Sequence, residues 1–130
     1  MREKPLILVV DDEHDLLEIM TARLQAAGYE PVAARNAKEA IDAAQKLLPD
    51  LILMDIHMPG GESGTDAALT IKQNPATKDI KIVFLSNLKD PWPTTGGDRD
   101  TLAKELGALD YIDKTADAAV IMEKVRAALA

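Results

Sequence analysis

Cysteine is absent from the sequence, which excludes disulfide bonds and thiolate metal sites and fits a reducing compartment. Aromatic residues make up only 3% of the chain, so the core must be built from aliphatic side chains. No apolar run approaches the roughly 20 residues of a membrane-spanning helix. The first run, Leu6–Val10, is too short for a signal peptide, and acidic residues follow it at once. We therefore predict a cytoplasmic protein that makes no contact with membranes.

Basic residues are also scarce: 15 Lys and Arg face 22 Asp and Glu, which gives a net charge of −7. Phosphate backbones are held by clustered Lys and Arg, and the sequence has no such cluster, so we expect no direct contact with nucleic acid. The 130 residues are enough for one domain and too few for two ordinary ones. Residues 1–130 are therefore predicted to form a single domain.

What the sequence does contain is an alternation of short apolar runs with segments of helical spacing. The predicted strands are Leu6–Val10, Pro31–Ala34, Leu51–Met54, Ile80–Leu85 and Ala108–Ile112. The predicted helices are Leu16–Ala27, Asn36–Leu48, Thr65–Gln73, Asp98 or Asp100 to Leu106, and Asp117–Leu129. Such alternation predicts an α/β fold with a doubly wound, five-stranded parallel sheet of order 2-1-3-4-5, a flavodoxin-like three-layer sandwich.

Polar residues follow four of the predicted strands: Asp11 and Asp12 the first, Asp55 the third, Ser86 the fourth and Lys114 the fifth. In the predicted order these strands are neighbours, and ligands of such sheets bind beyond the strand carboxyl ends. Three nearby carboxylates repel one another unless they are protonated or neutralised. A hard cation such as Mg²⁺ would neutralise them. A lysine and a hydroxyl beside that cation suit an anion, which suggests phosphoryl chemistry with a carboxylate as nucleophile.

Four motifs carry a family resemblance: "VVDDE", "LILMDIHMPGG", "FLSN" and "DYIDKT", each at a predicted strand end. Together and in this order they resemble the response-regulator receiver domain, the phospho-accepting part of two-component signalling. The resemblance covers nearly the whole chain. It implies a switch that turns over no independent metabolite, so the protein is not expected to be an enzyme. Its implied partners are a sensor histidine kinase or a histidine phosphotransfer protein, and a downstream protein. A monomer or weak dimer is expected.

The resemblance also implies a role for individual residues. Those assigned to Mg²⁺ are Asp11, Asp12, Asp55 and the backbone carbonyl of His57. In the reaction, Asp55 would be the phosphoryl acceptor, and Lys114 and Ser86 would contact the phosphoryl oxygens. Two residues are assigned to switching. Ser86 would be drawn toward the phosphoryl group, and Tyr111 would turn inward as Ser86 moves, which would change the surface of the fourth helix, fifth strand and fifth helix.

The sequence departs from the family pattern near two of these residues. Thr115 follows Lys114 where the family usually has a proline after a cis bond, and a cis bond before threonine costs about 3 kcal/mol. Asn87 follows Ser86 where smaller residues are more common. The segment that joins the fourth strand to the next helix is longer than usual, mostly within Lys89–Asp98. We therefore expect an atypical output surface.

Other interpretations remain open at this stage. Singly, each aspartate after a strand could be a helix cap. A phosphohydrolase that uses Asp55 would need a second aspartate two residues later, where this chain has His57. A flavodoxin-like cofactor carrier would need a phosphate loop after the first strand, and the acidic residues there repel phosphate. A receiver used only for protein binding is the fourth interpretation. Trp92 is interpreted as a loop anchor, with a docking residue as the alternative.

Overall fold

The computed structural model describes residues 4–56, 63–86, 110–114 and 116–130. Its strands are β1 Leu6–Val10, β2 Glu30–Ala34, β3 Leu51–Asp55, β4 Lys81–Ser86 and β5 Asp110–Asp113. Its helices within these ranges are α1 His14–Ala26, α2 Ala37–Leu47, α3 Gly64–Gln73 and α4 Ala118–Leu129. The predicted features that lie outside the described residues are the helix ending at Leu106, the start of the fifth strand at Ala108, His57, Asn87, Trp92 with its loop, and Thr115.

The five strands form one parallel sheet in the order β2-β1-β3-β4-β5, which confirms the prediction. The chain crosses over from β1 to β2 on one side and returns to β3 on the other, so the switch point lies between β1 and β3. Val10 lies beside Met54, Asp55 beside Leu85, and Ser86 beside Asp113. The carboxyl ends of these four strands therefore share one edge of the sheet.

Helices cover both faces of the sheet, which explains why its central strands are apolar throughout. On one face, α1 and α4 pack on alternate strand residues in a cluster that includes Val9, Leu53, Leu85, Leu17, Met20, Ile121 and Val125. On the other, α2 and α3 pack in a cluster that includes Leu8, Ile52, Phe84, Ala40, Ala44, Ala68 and Ile71. The core is largely aliphatic, as the composition requires. None of the described helices is long and apolar enough to cross a membrane.

Local signals account for most helix ends. The Asn36 side chain accepts a hydrogen bond from the Glu39 N–H at 2.8 Å and donates one to the Glu39 carboxylate at 3.0 Å, so the predicted cap of α2 is confirmed. Ser63 caps α3 by accepting from the Asp66 N–H at 3.2 Å. Helix α2 ends at Leu47, and the next residue, Leu48, adopts a left-handed conformation at φ 47°. Gly28, just past α1, also has a positive φ.

Candidate functional site

Asp11 leaves β1 at the shared edge and is fully buried, whereas its neighbour Asp12 is exposed. The Asp11 N–H donates to the Ala34 carbonyl at 3.1 Å, so pairing with β2 continues one residue past the strand. One carboxylate oxygen of Asp11 accepts from the Glu13 N–H at 2.9 Å, which fixes the side chain at the start of α1. The other oxygen, Oδ2, is thereby turned toward β5.

Asp55 is the last residue of β3 and is only 2% exposed. The Ile56 N–H donates to the Leu85 carbonyl at 3.2 Å, so the backbone on its far side is still paired with β4. The rigid sheet therefore delivers this carboxylate to the edge. An apolar strand ends on an acid because the acid faces the pocket and not the core.

The start of α3 packs directly on the peptide that follows Asp55. The Gly64 N–H donates to the Ile56 carbonyl at 3.0 Å. A Cβ at Gly64 would lie 1.8 Å from the Asp55 carbonyl oxygen, a distance that no side chain can tolerate. Sequence reasoning missed this residue. The available signal was a glycine directly before the predicted start of this helix at Thr65, where a residue without a side chain permits a close backbone approach.

Lys114 follows β5 and bridges two of the acids. Its Nζ lies 3.0 Å from Asp11 Oδ2 and 3.0 Å from Asp55 Oδ2, and its side chain is 10% exposed. Burial lowers the pKa of Lys114, but the attraction and hydrogen bonds of Asp55 and Asp11 outweigh burial and raise it. The ammonium therefore stays charged at neutral pH.

The three carboxylates lie close enough together to share one cation. Oxygens of Asp11, Asp12 and Asp55 all lie within 4.8 Å of one another. Carboxylate oxygens are the ligands that Mg²⁺ prefers, and the exposed position of Asp12 leaves one side open for the waters that Mg²⁺ retains. One ammonium against three carboxylates leaves an excess of negative charge. The donor set therefore fits Mg²⁺.

The remaining predicted residues are described in part. Ser86 ends β4 beside Asp113, at the same edge as Asp55. Tyr111 lies on β5, is half-buried and packs against the cluster on the α2 and α3 face. His57 lies outside the described residues. The structure thus brings together Asp11, Asp12, Asp55 and Lys114, and it places the backbone of Ser86 at their edge.

Comparison with known proteins assigns most of the chain to one family. The family model of the response regulator receiver domain matches residues 7–126. The chain is 35% identical over 125 residues to the phosphate regulon transcriptional regulatory protein PhoB of Pseudomonas aeruginosa, which covers 95% of this chain and 51% of PhoB. It is 34% identical over 120 residues to the response regulator PleD of Caulobacter vibrioides, and this match covers 92% of the chain and 25% of PleD. The chain therefore spans about half of the first relative and a quarter of the second.

Solved structures give the same result for the fold. The chemotaxis protein CheY4 of Vibrio cholerae superposes with a TM-score of 0.84 at 25% identity, and the match covers 97% of this chain and 99% of CheY4. This likeness confirms the doubly wound parallel architecture predicted from the sequence.

Proposed function

The chain belongs to the response regulator receiver domain family, and we propose that it is a magnesium-dependent signalling switch that accepts a phosphoryl group on Asp55. One observation carries the proposal. The buried Asp55 carboxylate lies 3.0 Å from the Lys114 ammonium and shares its pocket with oxygens of Asp11 and Asp12. A nucleophile, a cation site and a charged partner for an anion therefore meet at one sheet edge.

The transfer itself requires little movement of the protein. A carboxylate oxygen of Asp55 attacks the phosphorus of a phosphohistidine, the P–N bond breaks, and the histidine nitrogen leaves with the electron pair and takes up a proton from solvent. The Lys114 ammonium moves from the Asp55 carboxylate to the new phosphoryl oxygens, which remain within its reach. Asp11, Asp12 and Asp55, with the backbone carbonyl of His57, would hold Mg²⁺, and the bound ion would neutralise charge at those oxygens.

The signal then passes from Asp55 to a surface. We assign to Ser86 a hydrogen bond to the phosphoryl group, and to Tyr111 an inward turn that accompanies it. The strand register supports this assignment, because Phe84 lies beside Tyr111 and Ser86 beside Asp113, so Ser86 and Tyr111 lie on directly paired strands. A covalent phosphoryl group biases a two-state element of this kind and changes the affinity for a downstream protein.

The partners proposed are a sensor histidine kinase or a histidine phosphotransfer protein upstream, and one protein target downstream. The proposed setting is the cytoplasm, with residues 1–130 acting as one receiver domain, monomeric or weakly dimeric. Receiver domains in this family are signalling modules. We therefore propose no catalysis beyond phosphorylation and dephosphorylation of the protein itself.

A direct test uses a small phosphodonor such as acetyl phosphate, with and without Mg²⁺, and intact mass as the readout. We expect one added phosphoryl group that requires Mg²⁺ and is lost in Asp55→Asn. The matched control is Asp42→Asn, which removes an exposed carboxylate of α2 and should label like the wild type. Equal labelling of Asp55→Asn and the wild type would refute the proposal.

A further inference from the structure

Lys124 makes an unusual pair of contacts with a single residue of β5. Its Nζ donates a hydrogen bond to the Tyr111 carbonyl at 3.0 Å. The same Nζ lies 5.1 Å from the centroid of the Tyr111 ring, within the range of a cation–π contact. One ammonium therefore contacts both the backbone and the side chain of Tyr111.

The two residues come from opposite faces of the sheet. Helix α4 packs by Ile121 and Val125 on the face that also receives Ile112, whereas the Tyr111 ring packs on the opposite face. Strand β5 is an edge strand of the sheet. Lys124 lies on α4 next to Val125 and is half-buried. Its long side chain therefore reaches around the edge of β5 to contact the ring.

We propose that Lys124 is a positioning residue for Tyr111, and that its charge favours the ring position of this structure over others. The ring face attracts a cation by its quadrupole, and the hydrogen bond to the Tyr111 carbonyl holds that cation in place. The restraint itself follows from the contacts alone. Its consequence for signalling, a shift in the ratio of the two Tyr111 positions, rests on the proposed switch.

The size of the effect follows from the exposure of the pair. A cation–π contact at a partly exposed site changes an equilibrium by about two- to five-fold. A neutral side chain of similar length at position 124 should lower the population of the observed ring position by this factor. Arginine at position 124 keeps the positive charge and should preserve most of the population of the observed ring position.

The chain offers a clean spectroscopic test because it contains only two tyrosines, Tyr29 and Tyr111. Full-length protein labelled with 3-fluorotyrosine gives two ¹⁹F resonances, assigned with Tyr111→Phe. The variants are Lys124→Met and Lys124→Arg. Lys38→Met, which removes an exposed lysine of α2, is the control for loss of one positive charge.

In protein without phosphodonor, Lys124→Met should shift or split the Tyr111 resonance, while Lys124→Arg and Lys38→Met stay close to the wild type. An unchanged Tyr111 resonance in Lys124→Met overturns the restraint. An equal change in Lys124→Arg and Lys124→Met also overturns it, since packing and not charge would then be responsible.

A second arm adds Mg²⁺ and beryllofluoride, which mimics a phosphoryl group. If the wild-type Tyr111 resonance responds, Lys124→Met should change the ratio of the two ring positions by about two- to five-fold. An identical ratio in both proteins overturns the signalling consequence. If the wild-type resonance does not respond, the proposed switch role of Tyr111 fails, and the first arm alone decides the restraint.

Discussion

Replacing Gly64 by alanine should disturb the candidate site directly, because the added Cβ meets the backbone of Asp55. The added Cβ would lie 1.8 Å from the Asp55 carbonyl oxygen and 2.7 Å from its carbonyl carbon. Non-bonded heavy atoms are comfortable at about 3.5 Å, so the start of α3 and the Asp55 peptide must separate by roughly 1.7 Å. Both are backbone, and no side-chain rotation can relieve the clash.

That displacement should lower both the stability of the protein and its phosphorylation rate. Overpacking costs about 1–3 kcal/mol, and the Gly64 hydrogen bond to Ile56 adds about 1 kcal/mol when it breaks. We expect the free energy of unfolding to fall by about 3 kcal/mol, measured by urea denaturation. A misplacement of about 1 Å at a reacting group can cost on the order of 100-fold in rate. Phosphorylation of folded Gly64→Ala should slow by that order at saturating Mg²⁺.

Gly28→Ala provides the matched control. Gly28 has a φ of 94°, and a Cβ there would meet no atom within 4 Å. Alanine at this position should cost about 1 kcal/mol through backbone strain alone, with no effect on the phosphorylation rate. If Gly64→Ala is as stable as the wild type, or is destabilised but labels at the wild-type rate, then Gly64 does not position Asp55.

Further changes test the charges of the site and the strain beside it. Lys114→Met leaves the buried Asp11 and Asp55 without their shared ammonium. We expect the free energy of unfolding to fall by about 3–5 kcal/mol at pH 7, measured by urea denaturation without metal. A fall of less than about 1 kcal/mol would contradict a stabilising role for this ion pair. Burial lowers the pKa of Lys114, but Asp55 and Asp11 raise it above its ordinary 10.5. The stabilisation by the charged Lys114 is therefore fully present below about pH 10.5 and is lost as pH rises through the higher pKa of the folded state. The difference in free energy of unfolding between the wild type and Lys114→Met should accordingly become smaller above about pH 10.5. Leu48→Gly should raise the free energy of unfolding by about 0.5–1 kcal/mol, because Leu48 is held at φ 47° and its side chain is 49% exposed. A lower melting temperature of this variant would show that the packing of the Leu48 side chain outweighs the strain of its backbone.

The sheet and its order were predictable because apolar runs and helical patterns alternate along the chain. The ends of the elements were less so, for physical reasons visible in the structure. Helix α1 begins at His14 and not at Leu16: the Leu17 N–H donates to the Glu13 carbonyl at 3.1 Å, and the Glu13 N–H is held by the Asp11 carboxylate. The fourth strand begins at Lys81, since the Ile80 N–H is used in a turn to the Thr77 carbonyl. Neither hydrogen-bond pattern leaves a periodic signal in the sequence.

Some contacts of the candidate site were also predictable from the sequence, and others were not. Asp11, Asp55 and Lys114 stand at strand ends, and a parallel sheet aligns such ends, so their proximity follows from the topology. The close approach of Gly64 to Asp55 depends on where α3 meets β3, which no strand pattern encodes. The contact of Lys124 with Tyr111 depends on a helix reaching around an edge strand. Contacts of this kind need coordinates.

The charge of the pocket separates a binding site from a structural ion pair. A structural pair balances its charges, because an uncompensated buried charge is costly. Here Lys114 is the one cation that the described residues place among Asp11, Asp12 and Asp55, which leaves two negative charges in excess. That excess attracts a cation and repels any phosphate that arrives alone. If Asp55 is the phosphoryl acceptor, as proposed, we expect an anionic phosphodonor to reach it only when a cation has reduced the negative potential of the pocket.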